Sequence, residues 1–425
     1  MLEIIINNLF LTILVILSII YASWLFLLFW PKRQKIKTDF YPPISIIIPA
    51  HNEEENIKDV LESLVASDYD KKEIIVVDDG SIDKTYDIVK KFSKKYPVKL
   101  IKGKHQGKAK AVNLAMKEAK NDYIVVVDAD TTIKEDTLKN LLQPFQEDKV
   151  AAVASNTRIN LTRNIITWFQ SLEYSISTSW NYICSKIGGL SVMSPICAFR
   201  KDVIEEIGSF RGDTAAEDYD ICMRIKKAGY KIKMAPSAIA YNKSPQTLSG
   251  WFKQRMRWEI GTFQVIKKHF DMIFNRKHLG IGFYSTPTKI YWYIHSFIYL
   301  PVVSYQIFYG YFKYFFFKGI YLSLDVVKYF FYWFTVFGMA DYTHKLMIGV
   351  YPLDIIAALI IFVFISVTSF IFYSLIKFSD RITIYHLIAF IFFFPYTLIL
   401  ILVRILAIFY RMKSSKKYVK WEKEK

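Results

Sequence analysis

Residues 44–81 read ISIIIPAHNEEENIKDVLESLVASDYDKKEIIVVDDGS. The apolar run at 44–48 predicts a buried strand, and the spacing of hydrophobic residues over 53–66 predicts a helix. Residues 73–79 contain a second apolar run of strand length. A strand, a helix and another strand in this order are typical of a parallel sheet.

The same alternation continues downstream. Further strands are predicted at 98–102 and 123–128, and further helices at 84–95, 107–119 and 135–146. Repetition of this length favours an α/β fold, in which a mostly parallel, Rossmann-like sheet is covered by helices on both faces. In such sheets ligands bind beyond the carboxyl ends of the strands, so we expect the functional residues there.

Apolar residues are concentrated outside this domain. The chain has 425 residues, of which 53% are hydrophobic and 22% are charged. Residues 1–31 contain no Lys or Arg, and a second apolar region runs from about 290 to 410. The run at 10–30 reaches the length of about 20 residues that crosses a bilayer, and it lacks the basic start and cleavage site of a signal peptide. We therefore expect an α-helical transmembrane protein with a soluble domain between its apolar segments.

The positive charge follows the apolar segments. A formal net charge of +18 first suggests a nucleic-acid partner. Many of the basic residues, however, flank apolar segments, namely Lys32, Arg33, Lys35 and Lys37 after the first and residues 411–425 after the last. By the positive-inside rule, this distribution predicts a multi-pass cell-membrane protein with a cytoplasmic domain and tail, and no nucleic-acid partner.

Four apolar runs lie in the C-terminal region, at 289–312, 319–340, 351–376 and 383–410. A cytoplasmic tail requires an even number of crossings after the soluble domain, so we expect four here and five in all. The alternative is that 319–340, which carries Asp325, lies in the membrane interface. The predicted segments are a membrane helix with its basic flank (1–37), a cytosolic domain (38–245), amphipathic interface helices (246–285), about four membrane helices (286–412) and a basic tail (413–425).

Acidic motifs stand where two of the predicted strands end. Asp128 and Asp130 follow one strand. Paired carboxylates suit hard cations such as Mg²⁺ or Mn²⁺. The alternative is that Asp130 caps a helix or closes a turn. Asp79 is either part of an ordinary Asp-Gly-Ser turn or an acceptor for a nucleotide base. Because neither GxxxxGK[ST] nor GxGxxG is present here, the sequence does not support an ATPase or a nicotinamide dehydrogenase.

Three later motifs each allow two interpretations. Residues 103–108 form a basic, glycine-punctuated turn that either holds a nucleotide or is a solvated loop. Asp218 opens a helix, where it either complements the helix dipole or acts as a general base. Residues 254–258 read QRMRW and either lie on the bilayer surface or let Arg257 neutralise a pyrophosphate while Trp258 stacks on a sugar.

In this order and spacing, the Asp-Asp-Gly, Asp-Ala-Asp, Glu-Asp and Gln-x-x-Arg-Trp motifs resemble those of processive family 2 glycosyltransferases. That group contains the cellulose, chitin, hyaluronan and poly-N-acetylglucosamine synthases, and the resemblance covers roughly residues 40–275. It implies a GT-A domain in an inverting hexosyltransferase of the EC 2.4.1 type. Such an enzyme polymerises a UDP-sugar, here UDP-GlcNAc or a related UDP-hexose, into a β-linked polysaccharide and moves it across the membrane.

The resemblance also implies a role for each residue near the donor. Glu53 and Asp79 would lie near the uracil, and Lys108 would lie beside the nucleotide. Asp128 would contact the donor, while Asp130 would bind the Mg²⁺ or Mn²⁺ that bridges the diphosphate.

At the acceptor end, the resemblance implies that Asp218 deprotonates the acceptor hydroxyl. Gln254, Arg257 and Trp258 would cover the diphosphate and the acceptor sugar at the mouth of a tunnel. His51, which stands where many members of the family have Tyr, is a departure that bears on stacking at the base.

The sequence is also compatible with two other functions. The first is transfer of a single sugar to a lipid acceptor, as in ceramide glucosyltransferases, which also resemble the Gln-x-x-Arg-Trp pattern. The second is a catalytically inactive membrane scaffold. The partners expected for an active enzyme are a UDP-sugar, a growing polysaccharide or lipid acceptor, and membrane lipids.

Overall fold

A computed structural model describes residues 2–31 and 39–413 of the chain. The basic segments 32–38 and 414–425, which carry most of the predicted orientation signal, lie outside the described residues.

The centre of the molecule is one eight-stranded sheet with the strand order β3-β2-β1-β4-β7-β6-β8-β5. Its strands are β1 (Ile44–Ala50), β2 (Lys72–Asp78), β3 (Val98–Lys102), β4 (Tyr123–Val127), β5 (Thr131–Ile133), β6 (Val150–Ile159), β7 (Ile196–Arg200) and β8 (Lys231–Asn242). β1 to β4 are mutually parallel, as predicted, and β6 is parallel to β8. The sheet is nevertheless mixed, because β7 runs antiparallel to β4 and β6, and β5 runs antiparallel to β8.

Alternating side chains of the central strands enter two separate hydrophobic cores. Every residue of β1 is buried. Because successive side chains of a strand point to opposite faces, Ile47, Ile75 and Val126 pack in one core, whereas Ile46, Val76 and Val125 pack in the other. The sheet is therefore covered on both faces, as the continuous apolar strands predict.

Seven helices cover the sheet or connect its strands. They are α2 (Ile57–Val65), α3 (Thr85–Ser93), α4 (Lys108–Glu118), α5 (Thr137–Leu142), α6 (Ile165–Lys186), α7 (Lys201–Glu206) and α8 (Glu217–Lys227). Buried residues of α4 and α8 enter one core, and those of α2 and α5 enter the other. The carboxyl ends of β1 and β4 stay open between α4 and α8.

Most of the remaining helices are apolar. The remaining helices are α1 (Leu2–Phe29), α9 (Leu248–Lys268), α10 (Thr286–Tyr314), α11 (Leu324–Phe334), α12 (Phe337–Met347), α13 (Ile355–Phe378), α14 (Ile384–Ile391) and α15 (Phe393–Lys413). Of these, α9 carries several charged residues. Among the described residues, three stretches are long and apolar enough to cross a membrane: Asn8–Phe29, Ile355–Phe378 and Phe393–Tyr410.

The predicted crossing at 319–340 does not form one continuous helix. It is divided between α11 and α12, which have 11 residues each. At about 1.5 Å per residue, each is about 16 Å long, well short of a hydrocarbon core about 30 Å thick. The total of five crossings therefore stays a prediction.

The apolar helices dock directly on the sheet domain. Lys186 at the end of α6 donates hydrogen bonds to the carbonyl oxygens of Leu27 and Leu28 at the end of α1, at 2.8 and 2.9 Å. Asp380, between α13 and α14, accepts a hydrogen bond of 2.9 Å from the hydroxyl of Tyr241 on β8. These contacts hold the apolar helices against the domain from two sides.

A buried carboxylate joins α8 to α9. Asp220 is fully buried and lies 2.8 Å from Arg224 Nε, 2.7 Å from Lys268 Nζ and 2.9 Å from His269 Nε2. Burial alone would raise the pKa of Asp220, but hydrogen bonds from His269, Lys268 and Arg224 hold it well below its usual range. Asp220 therefore anchors the C-terminal end of α9.

We expect Asp220→Asn to destabilise the folded chain by about 3–5 kcal/mol, because it leaves the buried guanidinium of Arg224 without its counter-charge. Thermal unfolding of the detergent-purified protein measures this. The matched control is Asp271→Asn, whose carboxylate pairs with Lys227 at 2.5 Å but is half exposed; such pairs contribute only about 0–1 kcal/mol. Since the pKa of Asp220 is lowered, its contribution is present at neutral pH and is lost as the pH falls through that pKa. Equal midpoints for the two variants would contradict this anchoring role.

Candidate active site

A cavity of about 1480 Å³ opens where β1 and β4 end and extends to α9. Its lining includes eight of the nine predicted site residues: Glu53, Lys108, Asp128, Asp130, Asp218, Gln254, Arg257 and Trp258. Ligand pockets commonly measure about 300–1,000 Å³. This cavity therefore has room for a nucleotide sugar together with part of an acceptor.

Lys108 is a cation on the wall of the cavity. Its Nζ lies 2.6 Å from Asp128 Oδ1 and 3.4 Å from Glu217 Oε1. Burial alone would lower the pKa of Lys108, but the two carboxylates hold it above its usual value. Lys108 therefore stays charged and joins the start of α4 to the end of β4 and the start of α8.

The adjacent carboxylates Glu217 and Asp218 have different acidities. Partial burial, followed by the negative charge of Glu217, raises the pKa of Asp218 to about 6. Burial acts on Glu217 in the same direction, but Lys108 and Arg257 outweigh it and lower the pKa of that carboxyl. Divergent pKa values in neighbouring groups mark an acid–base assignment, and here they make Asp218 the better base.

Asp128 and Asp130 provide oxygen ligands on the cavity wall. Burial and the charge of Asp130 raise the pKa of Asp128, against the opposing effect of Lys108. Across residues 2–31 and 39–413, no group of three or more His, Cys, Asp or Glu side chains is placed to hold a metal ion. Mg²⁺ commonly uses one or two carboxylates and takes its other ligands from substrate phosphates and water. The two aspartates fit a metal of this kind.

Asp79 is the predicted site residue that does not line the cavity. Its Oδ1 accepts a hydrogen bond of 2.9 Å from the Gln106 amide, and its Oδ2 accepts one of 2.8 Å from the Gly107 amide. His105 Nδ1 lies 3.1 Å from Oδ2. Gly107 has a φ of 91°, which favours glycine, and α4 begins at the next residue. The carboxylate of Asp79 thus shapes the turn that places Lys108, and its proposed role at the base stays a prediction.

The other predicted residues also have defined surroundings. Glu53 is buried, and its Oε2 accepts a hydrogen bond of 2.7 Å from Asn56 Nδ2. Gln254 Oε1 accepts one of 2.5 Å from Arg255 Nη1. The ring of Trp258 lies 6.1 Å from that of Tyr174, centroid to centroid. Gln254 and Trp258 both lie on α9 and line the cavity.

Three further residues of this region had no role in the sequence analysis. Glu217 lies in the Glu-Asp motif, but no local pattern pairs it with Lys108, which lies 109 positions earlier. Arg255 lies within the QRMRW motif, but its charge alone does not reveal that it is buried. Glu173, on α6, belongs to no motif, and it reaches the cavity only because α6 packs beside α9.

The sequence of this region matches a known family. Residues 45–208 match the model described as Glycosyl transferase family 2. This segment is a family 2 glycosyltransferase domain. The match contains the Asp-Asp-Gly and Asp-Ala-Asp motifs, and the Glu-Asp and Gln-x-x-Arg-Trp motifs follow it.

The family 2 domain is similar to two curated synthases. The chain is 31% identical over 242 residues to a poly-beta-1,6-N-acetyl-D-glucosamine synthase of Staphylococcus epidermidis, an alignment that covers 56% of this chain and 59% of that protein. It is also 31% identical over 243 residues to the synthase of Staphylococcus aureus strain COL, with the same coverage. The aligned region is thus less than two thirds of the length of either relative.

A solved structure supports the fold assignment. The mannosyltransferase PcManGT from Pyrobaculum calidifontis, in complex with GDP-Man and Mn²⁺, superposes with a TM-score of 0.61 and 19% sequence identity. The superposition covers 89% of this chain and 98% of that one. The family 2 domain therefore has the GT-A fold, and the similarity extends to part of the apolar helices.

We expect Asp79→Ala to increase hydrogen exchange at the Gln106 and Gly107 amides by about 10–100-fold. The reason is that two amides lose a charged acceptor, and one such loss costs about 1–3 kcal/mol. Hydrogen exchange with peptide-level mass spectrometry measures the effect. The control is Asp87→Ala, because Asp87 is an exposed residue on α3. Unchanged protection of 103–108 in Asp79→Ala would show that Asp79 does not hold this turn.

Proposed function

We propose that the chain is a membrane-bound, inverting glycosyltransferase that extends a β-linked polysaccharide from a UDP-sugar. One observation carries this proposal: a carboxylate with a pKa of about 6, Asp218, shares a cavity with the cations of Lys108 and Arg257 and the carboxylates of Asp128 and Asp130. That set contains a base for the acceptor and positive charge for a diphosphate leaving group.

At the donor end, Lys108 and Arg257 are proposed to bind the diphosphate, because both are cations on the wall of the same cavity. Asp128 and Asp130 would hold Mg²⁺ or Mn²⁺, and the Mn²⁺ complex of a protein with the same fold supports that choice. A bound divalent ion supplies positive charge that stabilises a departing diphosphate. Glu53 and Asp79 are proposed to bind the nucleotide base.

At the acceptor end, Asp218 is proposed to take the proton from the attacking hydroxyl. The hydroxyl oxygen forms a bond to the anomeric carbon while the bond from that carbon to the diphosphate oxygen breaks. One displacement inverts the anomeric centre and requires a single base. Trp258 provides a flat surface for the acceptor sugar, and Gln254 provides a polar group beside it.

The identity of the sugar is proposed from similarity. Both staphylococcal relatives are poly-beta-1,6-N-acetyl-D-glucosamine synthases, which favours UDP-GlcNAc as the donor. The three apolar stretches that could cross a membrane favour a multi-pass protein. The basic residues that follow the first and last apolar segments favour a domain that faces the cytoplasmic UDP-sugar supply. Membrane lipids would surround these helices.

A product assay tests the proposal. The full chain in nanodiscs receives UDP-GlcNAc, UDP-glucose, UDP-galactose and UDP-glucuronate, separately and mixed, with Mn²⁺ or Mg²⁺, and the products are sized. We expect long chains from UDP-GlcNAc alone. We expect Asp218→Asn to slow transfer by about 10²–10⁴-fold, because it removes the general base.

Two controls make the assay specific. Asp213→Asn removes an exposed carboxylate that lies five positions before Asp218 and pairs with Lys268 at 2.7 Å. This variant should keep near-normal activity. Asp130→Asn, or a chelator, should abolish transfer if the metal assignment is correct. If the product is a single sugar attached to an added lipid, the proposed function becomes lipid glycosylation and not polymerisation. If folded protein supplied with metal releases no UDP, the enzyme hypothesis is excluded. The catalytically inactive membrane scaffold is then the function that remains.

The pH dependence of transfer should reflect Asp218. A base acts when deprotonated, so kcat/KM should fall as the pH drops through about 6. Glu217→Gln removes the neighbouring negative charge that raises this pKa, and the acidic limb should therefore move to lower pH. The measurement is a pH–rate profile at limiting donor concentration for both proteins.

The matched control is Glu205→Gln, which neutralises an exposed glutamate on α7 that pairs with Lys201 at 4.0 Å. Its acidic limb should coincide with that of the unmodified chain. If the acidic limb of the pH–rate profile does not move in Glu217→Gln, the limb reflects the titration of a group other than Asp218.

A further inference from the structure

Arg255 is a buried cation inside the QRMRW segment. Its side chain is 3% exposed, so it does not face lipid headgroups as a basic residue of an interface helix would. The family resemblance assigns roles to Gln254, Arg257 and Trp258 but none to Arg255. A buried guanidinium requires partners that replace its hydration, and these partners identify what Arg255 does.

Glu173 on α6 fixes the guanidinium at two points. Arg255 Nε lies 3.0 Å from Glu173 Oε1, and Nη2 lies 2.7 Å from Oε2. Two parallel charge-assisted hydrogen bonds of this kind fix the orientation of the guanidinium plane as well as its position.

The same carboxylate reaches the candidate membrane stretch Phe393–Tyr410. Glu173 Oε2 also accepts a short hydrogen bond from the hydroxyl of Tyr396 on α15. That hydroxyl oxygen in turn accepts a hydrogen bond of 3.0 Å from Trp251 Nε1 on α9. One polar network therefore joins α6, α9 and α15.

The part of the Arg255 guanidinium that does not contact Glu173 contacts two residues of the proposed acceptor end. Its Nη1 donates a hydrogen bond of 2.5 Å to Gln254 Oε1. The centre of its guanidinium lies 4.3 Å from the centroid of the Trp258 ring, within cation–π distance. The side chains of Gln254 and Trp258 are thus both held by a group whose own position is set from outside α9.

We propose that Arg255 is a positioning residue for the acceptor site, and that Glu173 and Tyr396 set its position from α6 and α15. This inference rests on the proposed glycosyl transfer for its effect on activity. Lysine cannot replace arginine here, since an ammonium provides neither the fork for Glu173 nor the flat cation over Trp258.

The test uses the full chain in nanodiscs, labelled with 5-fluorotryptophan and followed by ¹⁹F NMR. The Trp258 resonance is assigned from its disappearance in Trp258→Phe. We expect Arg255→Lys to shift and broaden this resonance, and Tyr396→Phe to move it less in the same direction. This readout needs no catalysis, so it decides the positioning role even if the proposed function fails.

Arg404→Lys is the matched control. Arg404 Nε on α15 lies 3.2 Å from Glu259 Oε1 on α9, so it is also an Arg–Glu pair between helices. Its other hydrogen bonds go to the Trp292 carbonyl oxygen and the Ser296 hydroxyl on α10, whereas Arg255 contacts Gln254 and Trp258 directly. The Trp258 resonance should therefore stay in place in Arg404→Lys.

The second arm measures transfer to a soluble oligosaccharide of the donor sugar. We expect Arg255→Lys to raise the acceptor KM at least tenfold and to shorten the products, while UDP affinity stays within twofold of the unmodified chain. Tyr396→Phe should raise the acceptor KM by a smaller factor, and the double variant should equal Arg255→Lys because both act through one network.

Two results would overturn the inference. One is a Trp258 resonance that is identical in Arg255→Lys, Tyr396→Phe and the unmodified chain. The other is that Arg255→Lys and Arg404→Lys change the acceptor KM and the UDP affinity by equal factors, which would reduce Arg255 to a general role in helix packing. An unmodified chain that transfers no sugar would refute the proposed function, and the ¹⁹F arm would still decide the positioning of Trp258.

Discussion

The candidate site depends on one ammonium group placed between two carboxylates. Lys108 Nζ is shared by Asp128 at the end of β4 and Glu217 at the start of α8. Acidic groups gathered in a partly dehydrated cavity repel one another and resist ionisation. The charge of Lys108 offsets that repulsion, so the start of α4 must lie opposite both carboxylates. Gly107 and the carboxylate of Asp79 set that starting point.

Helix α8 uses three acidic residues for three different purposes. Glu217 pairs with Lys108, Asp218 has the raised pKa of a base, and Asp220 faces the core, where it binds Lys268 and His269 at the end of α9. Successive helical residues point in different directions, about 100° apart. A single helix start can therefore line the cavity and anchor the next helix at once, without a separate structural element for each task.

The parallel half of the sheet and most of the site could be predicted because their signals are local. β1, β2 and β4 are apolar runs that end at a polar motif, and the ends of such parallel strands meet at one edge. The mixed half of the sheet could not be predicted, because the direction of β7 depends on pairing between strands that are distant in the sequence. The pairing of Glu173 with Arg255 joins residues 82 positions apart, and no local pattern encodes it. The apolar run at 351–376 contains most of α13 (Ile355–Phe378), but apolar composition could not show that α11 ends before 340.

Helix α9 is held at both of its ends, and the proposed acceptor residues lie between the two attachments. Near its N-terminal end, Trp251 donates a hydrogen bond to Tyr396 on α15, and at its C-terminal end His269 contacts Asp220 on α8. Gln254 and Trp258 lie between these two attachments. Because both attachments are on one continuous helix, the positions of α15 and α8 together set where Gln254 and Trp258 lie. The proposed acceptor residues are thus tied by hydrogen bonds to a candidate membrane helix, whereas Asp218 begins α8, a helix whose buried residues pack in the core of the sheet domain.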